Sequence, residues 1–188
     1  MLKYLPNTVS IMRLLLILPI SVLMLEGNYL SAFVLFTLAG LSDGIDGWLA
    51  RTFGWVSAFG KIIDPVADKL LMIVTTVTLG VLDQIPMILV FLIIAKDLAV
   101  IGGVLVYTVL AGFPLVKPIF IGKFTTVAQL LLLGCLMFSQ VITEAWLEAF
   151  VLPALIWIVV VSTILDGCIY LWVWTRKLSV DPRWNPVT

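Results

Sequence analysis

The chain contains no histidine, and only two of its 188 residues are cysteine. Histidine and cysteine are the ligands that zinc prefers, so a zinc centre is disfavoured from the start. Cys135 and Cys168 both stand in apolar runs, where a thiol usually packs as a small hydrophobe, and we assign them no chemical role. Charge is also scarce, at 12% of residues with a net charge of zero. Nothing in this balance suggests binding to nucleic acid.

Hydrophobic residues make up 62% of the chain, far more than a soluble domain carries. Apolar runs long enough to cross a bilayer alternate with short polar or turn segments. We therefore predict an all-α integral membrane protein, a bundle of six transmembrane helices that forms a single domain over residues 1–188. The predicted spans are Ser10–Leu25, Tyr29–Arg51, Lys61–Leu82, Ile85–Leu110, Pro118–Val141 and Trp146–Trp174.

The basic residues predict the orientation of this bundle. Lysine and arginine accumulate on the cytoplasmic side of membrane proteins, whereas acids carry little topological information. In the six-span arrangement, nine basic residues fall on the side of the two termini, and the opposite loops hold only acids. The sequence therefore predicts that both termini are cytoplasmic. The nine are Lys3, Arg13, Arg51, Lys61, Lys117, Lys123, Arg176, Lys177 and Arg183.

One stretch, SDGIDGWLARTFGWVSAFGKIIDPVADK from Ser42 to Lys69, concentrates charge within the apolar chain. Asp43 and Asp46 are three residues apart on the second predicted helix, so they share a helix face. Asp64 and Asp68, four residues apart, share a face of the third. The short connection between the two helices should bring the four carboxylates together near the cytoplasmic side.

Four carboxylates in hydrocarbon require compensating positive charge. Arg51, Lys61 and Lys69 could neutralise part of the cluster, which would then be a polar plug that specifies helix packing. Divalent cations are the stronger hypothesis, because oxygen-only ligands without histidine or cysteine favour Mg²⁺ or Mn²⁺. Asp43 lies eight residues from Arg51, about 12 Å deep, whereas a cation transporter, the alternative from another class, usually binds its ion near the midplane.

The spacing Asp43-x-x-Asp46-Gly47-x-x-Ala50-Arg51, followed after eight residues by Gly60-x-x-x-Asp64-x-x-x-Asp68, resembles the signature of the CDP-alcohol phosphatidyltransferase family. The resemblance extends from LPNTVSIMRLLLILP through DPVADKLL to IGKFTTVAQLLLL. It implies a six-helix enzyme of phospholipid biosynthesis, in which an acceptor hydroxyl attacks the β-phosphate of CDP-diacylglycerol and expels CMP. It also implies a homodimer, and we expect a bacterial inner membrane with the site facing the cytoplasm.

The same resemblance implies roles for individual residues. The four aspartates would hold two divalent cations, and Asp68 would also be the candidate general base. The small residues would leave room for the cytidine nucleotide, and Arg51 would contact phosphate or order the acids. Because a metal-bound carboxylate is a weak base, Asp68 could instead be a ligand only. Basic residues expected near the substrates, besides Arg51, are Lys61, Lys117 and Lys123, and the small residues are Gly47, Ala50 and Gly60.

Two branches of the family fit, and they differ in the acceptor alcohol. Phosphatidylglycerol as acceptor would give cardiolipin, and glycerol 3-phosphate would give phosphatidylglycerol phosphate. We favour the cardiolipin synthase branch, because AKDLAVIGGVLVY carries Lys96-Asp97 followed by apolar residues, where glycerol 3-phosphate synthases often carry Arg-Glu and a further basic residue. The sequence allows two interpretations for each of two further basic residues. Lys96 either faces the cavity or pairs with Asp97 or Asp166, and Arg13 is either a phosphate contact or a positive-inside anchor.

Overall fold

The protein is helical throughout the part that the structure covers. The computed structural model describes the backbone of residues 5–53, 60–111, 120–142 and 144–180, and side chains within 11–42, 66–102, 121–142 and 144–173. No strand occurs in these ranges. The six helices are α1 (Leu5–Leu25), α2 (Tyr29–Phe53), α3 (Gly60–Val81), α4 (Met87–Ala111), α5 (Phe120–Ser139) and α6 (Leu152–Val180).

These helices confirm the predicted elements, with differences at their ends. Helix α1 begins at Leu5 rather than Ser10, and α2 runs to Phe53 rather than Arg51. The last apolar run opens with a π-helical turn, Leu147–Val151, before α6 proper begins. Hydropathy cannot distinguish a π turn from an α turn, since both keep the side chains apolar and the chain helical.

Two helix ends show how the chain reverses direction between apolar helices. After α1, the amide of Asn28 donates to the carbonyl of Leu23 at 2.8 Å, and Gly27 has a φ of 78°. After α3, the amide of Gln84 donates to the carbonyl of Leu79 at 2.9 Å, with Asp83 at a φ of 57°. Both ends are Schellman motifs, which satisfy carbonyls that the helix leaves unpaired. Aspartate is one of the few non-glycine residues that tolerate this left-handed conformation.

Helix packing places α2 and α3 against a common neighbour, α1. Helix α1 packs against both α2 and α3, while α6 packs against α4 and α5, and α2 also contacts α5. The interior is apolar and includes Met24, Phe36 and Leu132, each at most 2% exposed. One side-chain hydrogen bond of 2.7 Å, from Gln140 Nε2 to Gln84 Oε1, joins the end of α5 to the turn between α3 and α4.

Many large apolar side chains among the described residues are exposed on the outer surface. Leu18 is 72% exposed, Ile88 81% and Phe91 70%, a distribution that suits lipid rather than water as the surrounding solvent. Within the described residues, two segments are long and apolar enough to cross a membrane, Ile121–Ser139 and Leu147–Val173. Shorter apolar segments occupy Ile11–Leu25 and Tyr29–Ser42.

Candidate functional site

The four aspartates of the signature lie on the two helices that the sequence predicts. Asp43 and Asp46 belong to α2, and Asp64 and Asp68 belong to α3. Because α1 packs against both helices, the fold holds the two signature segments on one common neighbour. The side chain of Asp68 falls within the described residues, and those of the other three aspartates fall outside them.

Arg13 of α1 reaches the Asp68 carboxylate. Its guanidinium Nη1 donates to Asp68 Oδ1 in an ion pair. The Arg13 side chain is 3% exposed, whereas that of Asp68 is 41% exposed, so the pair is open on the carboxylate side. Neither predicted role for Arg13, the phosphate contact or the membrane anchor, included this contact. The sequence signal was an arginine in the apolar run of α1, a helix whose sequence contains no aspartate or glutamate.

The other predicted site residues are spread over three helices. Gly47, Ala50 and Arg51 lie on α2, and Gly60 and Lys61 form the start of α3, all with side chains outside the described ranges. Lys117 also lies outside the described residues. Lys123 is exposed in the first turns of α5. The structure therefore places Gly47, Ala50, Arg51, Lys61 and Lys123 on the predicted helices, and Gly60 one residue before the predicted span, in α3. The contacts of these residues with substrates stay predictions.

A second group of charges lies among α3, α4 and α6. Asp97 Oδ1 accepts a hydrogen bond from Lys69 Nζ at 2.7 Å and forms an ion pair with Lys96 Nζ at 2.8 Å. Lys96 Nζ also lies 3.5 Å from Asp166 Oδ2. The predicted pairing of Lys96 with Asp97 or Asp166 is confirmed, since the lysine contacts both acids. We call Lys69, Lys96, Asp97 and Asp166 the buried charge network.

The buried charge network balances its own charge. Its two lysines and two aspartates sum to zero, and Lys96, Asp97 and Asp166 are each at most 7% exposed. A buried ion pair must recover the cost of removing both ions from water, which requires close contact. In the polar-plug alternative Lys69 would neutralise part of the aspartate cluster, and the structure pairs its Nζ with Asp97 Oδ1. This contact could not be predicted from the sequence, because Lys69 and Asp97 lie on different helices and their pairing depends on how α3 and α4 pack.

Helices α5 and α6 approach closely beside this network. A Cβ atom added to Gly122 would lie 3.3 Å from Asp166 Oδ1, so the absence of a side chain makes room for the carboxylate. One turn further along, Thr125 Oγ1 donates to the carbonyl oxygen of Ser162 at 3.2 Å. Small and hydroxylated residues at helix contacts are typical of packing inside membranes, where backbones come close together.

An apolar cavity of about 400 Å³ opens between α2 and α5. Phe33, Phe36 and Phe138 supply its aromatic walls, and Gly40 and Gly134 also line it. Gly40 is three residues before Asp43 on α2, so the cavity ends within one helical turn of the signature. An apolar cavity large enough for part of an acyl chain therefore lies next to the segment of α2 that carries Asp43 and Asp46.

The donor set of the signature suits divalent cations that prefer oxygen. Four carboxylates supply only oxygen ligands, and the absence of histidine from the chain leaves no imidazole to compete. Asp68, the one member whose side chain is described, keeps 41% of that side chain exposed. The described side chains contain no group of three or more histidine, cysteine, aspartate or glutamate residues, and three of the four signature aspartates lie outside that set.

The CDP-alcohol phosphatidyltransferase family model matches residues 3–172, nearly the whole of the chain. The chain belongs to the CDP-alcohol phosphatidyltransferase family. This membership confirms the resemblance carried by the spacing of the aspartates, and the matched residues include all of the signature and the buried charge network. This family is embedded in the membrane, and the matched residues include all of α1 to α5 and most of α6.

Relatives from both branches of the CDP-alcohol phosphatidyltransferases resemble the chain. A human cardiolipin synthase (CMP-forming) is 33% identical over 74% of this chain and 52% of its own length. A fission yeast cardiolipin synthase/mitochondrial hydrolase fusion protein is 35% identical over 88% of this chain and 30% of its own length. The CDP-diacylglycerol--glycerol-3-phosphate 3-phosphatidyltransferase of Bacillus subtilis is 34% identical over 76% of this chain and 72% of its own length.

The chain is shorter than the cardiolipin synthases that it resembles. It spans about half the length of the human and rat proteins and less than a third of the fission yeast fusion protein. Identity to members of the two branches is nearly equal, at 33% to 35% for these relatives. Similarity alone therefore establishes the family and leaves the acceptor alcohol to be argued from the residues.

Proposed function

We propose that this protein transfers the phosphatidyl group of CDP-diacylglycerol to the hydroxyl of an acceptor alcohol, with release of CMP. The observation that carries the proposal is the complete aspartate signature, placed on two helices that pack on a common neighbour within the family domain. In the reaction, the acceptor oxygen forms a bond to the β-phosphorus, and the bond between that phosphorus and the CMP oxygen breaks. The acceptor proton must then be taken up by a base.

Asp43, Asp46, Asp64 and Asp68 are the residues proposed to hold two divalent cations, Mg²⁺ or Mn²⁺. When bound, such cations neutralise the charge of a diphosphate and of the leaving phosphate. Asp68 is the proposed acceptor of the hydroxyl proton, and its partly exposed carboxylate is consistent with that role. Arg13 supplies a fixed positive charge beside it. In this proposal Gly47, Ala50 and Gly60 clear space for the nucleotide.

The apolar cavity between α2 and α5 is the proposed site for an acyl chain of the donor lipid. The end of the cavity that Gly40 lines lies one helical turn from Asp43, which is the position needed if the lipid diphosphate binds at the aspartates. The cavity lining, from Phe33 to Phe138, offers a hydrocarbon chain apolar contacts along its length. Lys123 and, by sequence position, Arg51, Lys61 and Lys117 are the basic residues proposed to meet phosphate groups.

We propose phosphatidylglycerol as the acceptor, which makes the protein a cardiolipin synthase. The support comes from Lys96, whose charge is already matched by Asp97 and Asp166 and whose side chain is 5% exposed. A phosphomonoester such as glycerol 3-phosphate carries nearly two charges and needs several basic contacts. A phosphodiester lipid carries a single negative charge. It can therefore bind beside α4, where Lys96, the one basic residue of that helix, is already paired.

Glycerol 3-phosphate is the alternative acceptor. The Bacillus subtilis relative, named for that acceptor, matches over a larger share of its own length than the human and rat cardiolipin synthases do. The two proposals share the donor, the aspartates and the release of CMP. They differ in whether basic side chains around Lys117 and Lys123 bind a phosphomonoester.

The proposed membrane arrangement follows the same reasoning. Six spans with both termini in the cytoplasm would place the signature, the first turns of α5 and the basic residues on one side. A bacterial cytoplasmic membrane and a homodimer complete the proposal, and both come from the family resemblance rather than from contacts within this chain. One catalytic domain over residues 1–188 is proposed on the same grounds.

An acceptor panel tests the function. Purified protein is incubated with CDP-diacylglycerol and Mg²⁺ or Mn²⁺, together with phosphatidylglycerol, glycerol 3-phosphate, inositol phosphate or serine in separate reactions. We expect CMP and cardiolipin with phosphatidylglycerol, and no turnover without a divalent cation. Turnover with glycerol 3-phosphate alone would replace the acceptor and keep the family activity. Metal transport into liposomes without any CMP release would refute the enzyme proposal.

A further inference from the structure

The turn of α3 that carries Asp68 is held from two directions. Asp68 contacts Arg13 of α1, and the next residue, Lys69, donates to Asp97 Oδ1 of α4 at 2.7 Å. Neighbouring residues on an α-helix point about 100° apart around its axis. Two contacts at that angle, one to each flanking helix, fix both the rotation of α3 and its position along its own axis.

The contact to α4 is the better shielded of the two. Asp97 is fully buried and Lys69 is 28% exposed, whereas the Asp68 side chain is 41% exposed. Charges interact more strongly where water is excluded, and removing one partner leaves an uncompensated buried charge. The Lys69–Asp97 pair therefore resists sliding or rotation of α3 against α4. Asp97 in turn contacts Lys96, its neighbour on the same helix.

We propose that the Lys69–Asp97 ion pair is a positioning device for Asp68, which sets the place of that carboxylate relative to the substrates. The pair contacts no reacting atom and acts only through the α3 backbone. This inference rests on the proposed function, because it assigns Asp68 to the reaction. A misplacement of about 1 Å at a reacting group can cost two orders of magnitude in rate.

Two charge-neutral double variants separate positioning from simple stabilisation. Lys69→Leu with Asp97→Leu removes the α3–α4 pair and leaves Lys96 and Asp166, 3.5 Å apart, to neutralise each other. Lys96→Leu with Asp166→Leu removes the α4–α6 pair and leaves Lys69 and Asp97 together. Both variants replace one lysine and one aspartate by leucine, so they change charge and apolar content equally.

The measurements are kcat and KM for CMP release, the affinity for CDP-diacylglycerol by calorimetry, and the thermal midpoint. We expect the Lys69/Asp97 variant to lose at least tenfold in kcat, with KM and affinity for CDP-diacylglycerol within twofold of the wild type. The Lys96/Asp166 variant should keep kcat within threefold. Asp97→Glu keeps the charge but lengthens the side chain by one methylene, and should lower kcat severalfold with the affinity unchanged.

Equal losses of kcat in the two double variants would overturn the inference, as would unchanged kcat in the Lys69/Asp97 variant. If that variant does not fold, Asp97→Glu decides alone, since wild-type kcat there would refute positioning. Failure of the proposed function gives a different result, because the wild-type protein would then release no CMP with any acceptor.

Discussion

At the scale of single residues, Asp68 is the position on which the chemistry can be tested most directly. Asp68→Asn keeps the shape of the side chain and removes its basicity. We expect CMP release to fall by about 10² to 10⁴, the usual contribution of a positioned base. Asp83→Asn is the matched control, because asparagine also tolerates the left-handed conformation of Asp83 and the site lies fifteen residues away along the helix and turn, about 22 Å. Full activity in Asp68→Asn would support the polar plug instead.

Contacts between residues that are close in sequence could be predicted, and contacts between distant helices could not. The helices that carry the four aspartates could be predicted from hydropathy, and i, i+3 and i, i+4 spacing predicts that each pair shares one helix face. The partner of Lys96 was predicted in part, since Asp97 is adjacent and Asp166 is one of few acids in the late helices. The Arg13–Asp68 and Lys69–Asp97 contacts were not predicted. They join helices whose relative rotation depends on packing that apolar sequences specify weakly.

At the scale of the elements, two glycines show where helix packing is tight. A Cβ atom on Gly80 of α3 would lie 2.6 Å from Val90 Cγ2 of α4, whereas one on Gly102 would meet nothing within 4 Å. We expect Gly80→Ala to destabilise the fold by about 1–3 kcal/mol, because the buried, β-branched valine cannot move aside. Gly102→Ala should be stabilising by about 0.5–1 kcal/mol, through helix propensity alone.

The comparison of these two variants is made on purified protein in detergent, by heating samples and measuring the soluble folded fraction. A lower midpoint for Gly80→Ala and an unchanged or higher midpoint for Gly102→Ala are expected. Equal midpoints would mean that α3 and α4 separate more easily than the structure indicates. Hydropathy predicted both helices correctly, but it could not reveal which glycine faces a neighbour, because both glycines stand among apolar residues in the sequence.

At the scale of the whole molecule, the orientation in the membrane can be tested at one loop. In a chain with Cys135 and Cys168 replaced by serine, Glu26→Cys lies in the exposed turn between α1 and α2. We expect a membrane-impermeant maleimide to label it in intact cells, since this turn falls on the side without basic residues. Lys3→Cys should react only after permeabilisation. The reverse pattern would invert the proposed topology and move the signature to the outer side.

The register of α5 against α6 has a consequence for the bilayer around the protein. Gly122 lies opposite Asp166 and Thr125 opposite Ser162, so α6 continues past the first turn of α5 by about 18 Å, to Val180. Arg176 and Lys177 stand on that extension of α6, about 15 Å beyond the level of Gly122. Basic residues near a membrane face attract anionic lipid head groups. Lipids beside the start of α5 would therefore meet positive charge on α6, which favours an anionic head group there.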